Sequence, residues 1–382
     1  MYLFFTILFI TSCKSSNDNI YYFDPIRIKE TGILLSEIAD DIIYVPLDNT
    51  IPIDFIASYK LVDDIFYVTT KKYGLLTFSR EGKFIRTIGK VGRGPGEYLA
   101  CLSFTIDNRL EKIYILDLHQ EIKVFSTSGD FIKNIPLNVY GDNFSKIEFS
   151  ESKLFLFEFF TMGNAKYNWI IIDTTGILLN QKMNSVPSFK SNMIGVGGIY
   201  KSDDKICYWN NYNDSVFSIS SDFNYKTSFV INPGSFRLLK ANIGPEQLSQ
   251  YFFPLNIFET NRYLVLDYKF KDKGKLTMVN KLNKKTMSAS YTFTVKNHVG
   301  SYSGGFLNDI DGGIMLMPTG YCSDQNCLLG TIEPYQVKSL MGTEQFKNYI
   351  PKKPEKKKEL EKLANAIDEN ANPILMLVKL KQ

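Results

Sequence analysis

Between residue 42 and about residue 300 the apolar side chains fall in short alternating or aliphatic-aromatic runs of four to eight, separated by Gly, Asn and Asp. A period of two broken by turn formers predicts strands and hairpins, and the 3.6-residue period of helices is nearly absent. One unit recurs as apolar, Ser or Asp, two polar residues, Gly, one residue, apolar. Its copies are Phe78-Ser79-Arg80-Glu81-Gly82-Lys83-Phe84, Phe125-Ser126-Thr127-Ser128-Gly129-Asp130-Phe131 and Ile172-Asp173-Thr174-Thr175-Gly176-Ile177-Leu178. Gly82 to Gly129 and Gly129 to Gly176 are both 47 residues, and weaker copies follow at Ile219–Phe223 and Val279–Asn283. Upstream of each turn a second element recurs, a short aromatic-rich strand beginning near Ile65, Ile113, Leu154, Ile206, Tyr263 and Ile314. Six copies at a spacing of about 50 residues match propeller blades of four strands.

The expected fold is therefore all-β, a six-bladed β-propeller with four-stranded blades. Five blades are placed over 53–90, 98–138, 144–186, 193–232 and 253–297, and the sixth lacks an obvious fourth strand. The run Ile42-Ile43-Tyr44-Val45-Pro46-Leu47 would supply it, lying beside the C-terminal strand Ile374–Leu380 and closing the ring; Pro46 suits an edge, where a missing N–H costs little. Leu360, Leu363, Ala364 and Ile367 fall at helical spacing, so one C-terminal helix is expected in an insertion at about 339–370 within the last blade. The Lys-rich run 356–358 reads as the solvated face of that helix.

The N-terminus carries an address. Leu3–Ile10 is an apolar run of eight interrupted by Thr6, far short of the ~18–20 residues of a spanning helix, and reads as a signal-peptide core. It ends in Ile10-Thr11-Ser12-Cys13, which resembles the lipobox of bacterial lipoproteins, in which the cysteine is acylated. The chain then divides into a lipoprotein signal peptide at 1–12, a lipidated Cys13 with its tether at 13–40, and the propeller at 41–382.

Composition trims the remaining readings. With 44 basic and 40 acidic residues interspersed, the formal charge of +4 gives no nucleic-acid footprint. Beyond Cys13 there are Cys101, Cys207, Cys322 and Cys327; only the last two are close, and an exported protein would form a small disulfide loop between them. Two histidines, His119 and His298, cannot build a multi-histidine metal site. No cofactor is expected, although calcium stays open because its oxygen ligands need no linear motif. Gly-x-Ser-x-Gly is absent.

The lipobox, the blades, the loop Gly92-Arg93-Gly94-Pro95-Gly96-Glu97-Tyr98 and the ending Asn372-Pro373-Ile374-Leu375-Met376-Leu377 together resemble the six-bladed β-propeller lipoproteins of Gram-negative anaerobes, a family similar to NHL-repeat propellers. The resemblance implies a propeller fold and an envelope location, lipid-anchored to the membrane, the outer rather than the inner. It carries over no catalytic residue. The glycine loop itself leaves one strand and enters another, so it has no helix N-terminus for a phosphate.

In a propeller the crossovers between blades share one face with the second-to-third-strand turns. That face is expected to bind, through Arg93, Glu97, Tyr98, His119, Trp209, Tyr212 and Tyr268. The Cys322–Cys327 loop and the extra segment Gly234–Gln250 are expected beside them. Two functions follow. The first is a noncatalytic, monomeric envelope lipoprotein binding a glycan, peptide or envelope protein there, the membrane being its other partner through Cys13. The alternative is a propeller hydrolase or lyase using carboxylates at the channel mouth, with or without calcium.

Overall fold

The computed structural model describes residues 20–382 apart from 142–143, 159–164, 188, 190–196, 242 and 297–298. The signal peptide, Cys13 and His298 lie outside the described residues.

The chain begins with β1 (Tyr21–Phe23), a single turn α1 (Leu35–Ile38) and β2 (Ala39–Pro46). Blade 1 follows as β3 (Ile56–Val62), β4 (Ile65–Thr70), β5 (Gly74–Ser79) and β6 (Phe84–Ile88). Blade 2 is β7 (Cys101–Asp107), β8 (Lys112–Asp117), β9 (Glu121–Ser126) and β10 (Phe131–Pro136). Blade 3 is β11 (Phe144–Ser150), β12 (Lys153–Glu158), β13 (Tyr167–Asp173) and β14 (Leu178–Met183). Blade 4 is β15 (Gly197–Ser202), β16 (Lys205–Asn210), β17 (Ser215–Ile219) and β18 (Tyr225–Ile231). Blade 5 is β19 (Phe253–Glu259), β20 (Tyr263–Phe270), β21 (Lys273–Asn280), β22 (Thr286–Lys296) and β23 (Val299–Gly304). Blade 6 combines β24 (Gly320–Cys322), β25 (Cys327–Ile332) and β26 (Ile374–Leu380) with β2 as its outer strand.

The protein is a six-bladed β-propeller, with the four strands of each blade antiparallel from the inner strand outward. The ring closes as the sequence anticipates: β2 pairs with β26 from Ala39↔Leu380 to Pro46↔Ile374. Asn372 fastens the closure, its amide donating to the carbonyls of Asp48 (2.6 Å) and Ile51 (2.7 Å) and its oxygen accepting from Ile53 N (2.7 Å).

The repeated glycine does two jobs. Gly82, Gly129 and Gly176 turn between third and fourth strands at φ +83°, +94° and +102°, a region that L side chains rarely adopt. Each turn also sits against the preceding blade. A Cβ at Gly82 would lie 2.1 Å from the Pro46 carbonyl oxygen, and one at Gly176 would lie 2.7 Å from Ile135 Cγ2. The 47-residue period is thus the period of blade-to-blade docking.

Hydrophobic burial is concentrated in the seams. Leu61, Phe66, Leu375 and Leu377 pack between blades 6 and 1; Tyr67, Ile88, Phe104 and Ile115 between blades 1 and 2; Leu116, Ile122, Leu154 and Ile170 between blades 2 and 3. Both faces of every inner sheet are covered, which accounts for the apolar runs of strands such as Ile113–Leu116.

Four expectations need correction in detail. Blades 4 and 5 have a fifth strand, because β1 adds to β18 in parallel and β23 adds to β22. Consequently the segment read as tether up to residue 40 is bound from residue 20 onward: Phe23 is fully buried, and Thr31 and Gly32 donate to the Ser288 carbonyl. The helical insertion, between β25 and β26, is three helices rather than one: α2 (Pro334–Met341), α3 (Glu344–Asn348) and α4 (Pro354–Ala366). Leu360 and Ala364 are its buried stripe. The lysines do more than face solvent. Lys356 pairs with Asp41 at 3.1 Å, and Lys357 donates to the Phe346 and Tyr349 carbonyls at 2.6 and 2.8 Å, capping α3.

Candidate functional site

The crossover face does not bring the expected residues together. Tyr98 is fully buried between blades 1 and 2, its hydroxyl donating to Ile88 O (2.8 Å) and accepting from Leu75 N (2.9 Å). Glu97 folds back on its own loop and accepts from Gly94 N at 2.7 Å; a Cβ at Gly92 would meet its carboxylate at 2.1 Å. These glycines therefore make room for Glu97 rather than for a ligand. Trp209, Tyr212 and Tyr268 are 3%, 5% and 0% exposed. Tyr212 is covered by the insertion 234–250, whose Leu238 and Ile243 pack on it with Phe253. Tyr268 sits in the seam beside Phe23 and Phe252. Aromatic residues at strand ends were read as stacking surfaces, but here they plug the gaps where blades splay apart. Arg93 and His119 remain exposed. His119 lies 3.6 Å from Asp117, a buried carboxylate that accepts from the amides of Leu99 and Ala100 and so anchors the incoming crossover.

The cysteine loop is on the opposite face. Blade 6 has a short inner strand, so residues 323–326 turn from first to second strand, not second to third. Cys322 and Cys327 are direct register partners on this hairpin, both buried and both free thiols, so the expected disulfide is not formed in this structure.

A cavity of about 500 Å³ occupies the central channel and is walled by all six inner strands. It is bounded by the later residues of each strand and by first-to-second-strand turns at Asn108, Asp203, Asn261 and Asp324. Its mouth is therefore on the face opposite the crossovers. Sequence reasoning overlooked these positions because each inner strand contributes one or two polar residues within an otherwise ordinary alternation. The available signal was charge on a first strand, as in Ser58-Tyr59-Lys60-Leu61 and Lys146-Ile147-Glu148.

Two partly buried carboxylates shape the wall, with 18% and 12% of their side chains exposed. Glu148 of β11 receives Lys60 of β3 through both oxygens (3.1 and 2.9 Å) and the Thr105 hydroxyl at 3.1 Å, tying blades 1, 2 and 3 together. Glu259 of β19 accepts from Tyr200 (3.0 Å), Ser202 (3.0 Å) and Lys281 (3.2 Å), tying blade 4 to blade 5. Lys146 stands one alternation before Glu148; burial first, then the neighbouring Lys60, push its ammonium below the usual range. Among the described residues no three His, Cys, Asp or Glu side chains converge to hold a metal ion. The wall can hydrogen-bond a polar ligand and neutralise charge, and Glu148 and Glu259 each already accept from a lysine and from hydroxyl groups.

Residues 18–379 match the domain of unknown function DUF4934. The chain belongs to the DUF4934 family. A solved structure from Bacteroides fragilis, described as a "Putative exported protein", superimposes with a TM-score of 0.67 at 16% identity, covering 95% of this chain and 100% of that one. A member of the duf4221 family from Bacteroides vulgatus gives a TM-score of 0.45 at 13% identity over 72% of this chain and 93% of that one. Virginiamycin B lyase from Staphylococcus aureus gives 0.46 at 11% identity over 88% and 99%. No curated protein is similar in sequence to this chain.

Proposed function

We propose that this DUF4934 propeller is a noncatalytic binding protein of the cell envelope, held to the membrane through a lipid on Cys13, that takes a glycan or peptide ligand in its central cavity. The leader and lipobox-like Ile10-Thr11-Ser12-Cys13 support the location, as does the likeness to a protein described as exported. Among the described residues no helix is long and apolar enough to cross a membrane. The observation that carries the binding reading is the cavity itself, about 500 Å³ and lined by hydroxyl, amide and ammonium groups from six strands. That volume is within the ~300–1,000 Å³ of small-molecule sites. Glu148 and Glu259 are each engaged by a lysine and by hydroxyl donors, which favours binding over hydrolysis at these two positions; Asp203 and Asp324 at the mouth are the carboxylates a hydrolase reading would have to use.

Two measurements test this. Immobilised chain is exposed to envelope glycan and peptide fractions alongside Asn256→Trp, which fills the cavity, and Arg93→Ala on the crossover face. Capture lost only in Asn256→Trp is the expected result; capture lost only in Arg93→Ala would return the site to the other face. Cys13→Ser should move the chain from the membrane to the soluble fraction.

A further inference from the structure

The strap that enters the propeller is apolar on both faces, and the fold uses only one of them. Side chains of an extended segment alternate. Tyr21 and Phe23 of β1 turn into the seam between blades 4 and 5, where Phe23 is fully buried against Tyr268. Ile20 and Tyr22 take the opposite side and are 40% and 64% exposed. A second apolar group stands beside the strap. The turn between β21 and β22 carries Leu282, 91% exposed, and Lys284 of the same turn lies over the Tyr21 ring at 5.2 Å. Nothing in that turn calls for a leucine: the Asn280 side-chain oxygen holds it by accepting from Leu282 N and Asn283 N at 2.9 and 3.1 Å. Farther along the strap Ile26 is also exposed, beside Gly234.

This patch lies where the chain leads back toward Cys13. Six residues, Lys14–Asn19, separate that cysteine from Ile20, and all are polar. Seven residue steps span at most about 25 Å, so a lipid on Cys13 would keep Ile20 within that distance of the bilayer. Side chains confined so closely meet the surface at a high effective concentration. The charges nearby are mixed. Arg27, Lys29, Lys284 and Lys285 are exposed, while Asp24 pairs with Arg27 at 3.1 Å and Glu30 accepts from Ser290 at 2.7 Å. Charge alone would therefore attract a membrane weakly, and apolar contact must carry the attraction. Leucine, isoleucine and tyrosine flanked by lysines suit an interfacial contact, with the ammonium groups left among the headgroups.

Resting on the lipid-anchor reading above, we infer that the rim of blades 4 and 5 lies against the bilayer surface, with Ile20, Tyr22 and Leu282 dipping into the phospholipid headgroup and upper acyl region.

The test uses phosphatidylcholine vesicles with brominated acyl chains, which quench a tryptophan only at contact. Trp169 and Trp209 are buried, so the emission added by an exposed tryptophan can be followed. The lipidated full chain is reconstituted as Leu282→Trp and as Val139→Trp, the second exposed beyond blade 2 on the far side of the ring. The added emission of Leu282→Trp should be quenched and that of Val139→Trp should not. Quenching of neither, or of both alike, in chains that float with the vesicles would overturn the patch and leave the anchor standing. The unlipidated Cys13→Ser chain supplies an independent arm. Its weak partition onto phosphatidylcholine vesicles should survive high salt, fall about tenfold when Leu282→Ser is added and further with Ile20→Ser and Tyr22→Ser, and be unchanged by Val139→Ser. Unchanged thermal midpoints confirm that each variant is folded. If the wild-type chain does not float, the anchor reading fails and this arm alone decides the patch. Partition that needs Leu282 then keeps it, and no partition, or partition indifferent to Leu282, overturns it. Binding that requires phosphatidylglycerol in the vesicles and vanishes in high salt would overturn the apolar contact.

Discussion

Tyr98→Phe removes one oxygen atom from a fully buried ring and tests whether this residue serves the ligand or the fold. Leu75 of β5 and Ile88 of β6 are register partners, and the Tyr98 hydroxyl stands between them, accepting from Leu75 N and donating to Ile88 O. The room for it is built in. A Cβ at Gly74 would lie 2.2 Å from the Tyr98 hydroxyl oxygen, and one at Gly89 would lie 2.9 Å from its ring. Without the hydroxyl, one buried N–H and one buried C=O lose their partner, at ~1–3 kcal/mol each where the strands cannot close up. Partial closure recovers some of this, so a loss of about 2–4 kcal/mol is expected. Unfolding entropy of roughly 2.1 cal/mol/K per residue gives ~0.8 kcal/mol per degree for about 360 residues, so the thermal midpoint should fall by about 3–5 °C. Urea unfolding of both proteins, with matched slopes, measures the difference directly. Ligand affinity should be unchanged. A variant as stable as the parent to within ~0.5 kcal/mol, or one that folds normally and loses binding, would refute the assignment of Tyr98 to the seam.

Three further outcomes are expected. Burial raises the Asp267 carboxyl to about 6, with Tyr291 donating to it at 2.6 Å. A folded-state value above the unfolded one means stability is fully present below pH ~4 and is lost as pH rises through about 6, by at most ~3 kcal/mol and less where solvent reaches the group. Asp267→Asn should therefore stabilise the protein at pH 8 and leave it unchanged at pH 4 in paired thermal melts. Cys322 and Cys327, opposite each other on one hairpin, should be oxidised to a disulfide in protein recovered from an envelope and reduced in protein made in a cytoplasm; intact mass with and without alkylation distinguishes the two. Deleting residues 1–47 removes β2 with its buried Ile42 and Val45 and bares β26, and the product should be insoluble or unfolded by circular dichroism rather than merely less stable.

The fold was legible because its determinants repeat. Gly82, Gly129 and Gly176 must all satisfy a positive φ, and Gly82 and Gly176 a close approach as well, so the same residue recurs at the same interval. The closing strand was legible because an apolar run of β2's length has no other sheet to join. Blade 6 was read one strand out of frame: its inner strand is only Gly320–Cys322, and the apolar residues from Ile314 onward pass for a strand although they form a loop. The channel was harder for a different reason. Lys60, Glu148 and Thr105 come from three blades and are 88 and 43 positions apart along the chain from Glu148, so nothing local marks them as partners. Exposed aromatics, by contrast, were over-read, since Trp209 and Tyr268 have the polarity of a binding surface and the volume of a seam.

The amino-terminal strap gives the molecule a mechanical order of failure. From residue 20 it crosses the rims of three blades in succession: Tyr21–Phe23 on β18, Thr31 and Gly32 against Ser288 of blade 5, and finally β2 inside blade 6. A pull on its amino-terminal side loads the three-residue strand first, then the amide contacts to Ser288, then the buried stretch Ile33–Ile38 with its bonds to Leu307 and Asp309, and only last the long pairing that closes the ring. The outer contacts lie far from the channel along this path, so they give way before the strand that keeps the ring closed. Were the chain anchored through its amino terminus as proposed, a pull from the membrane would reach the channel last.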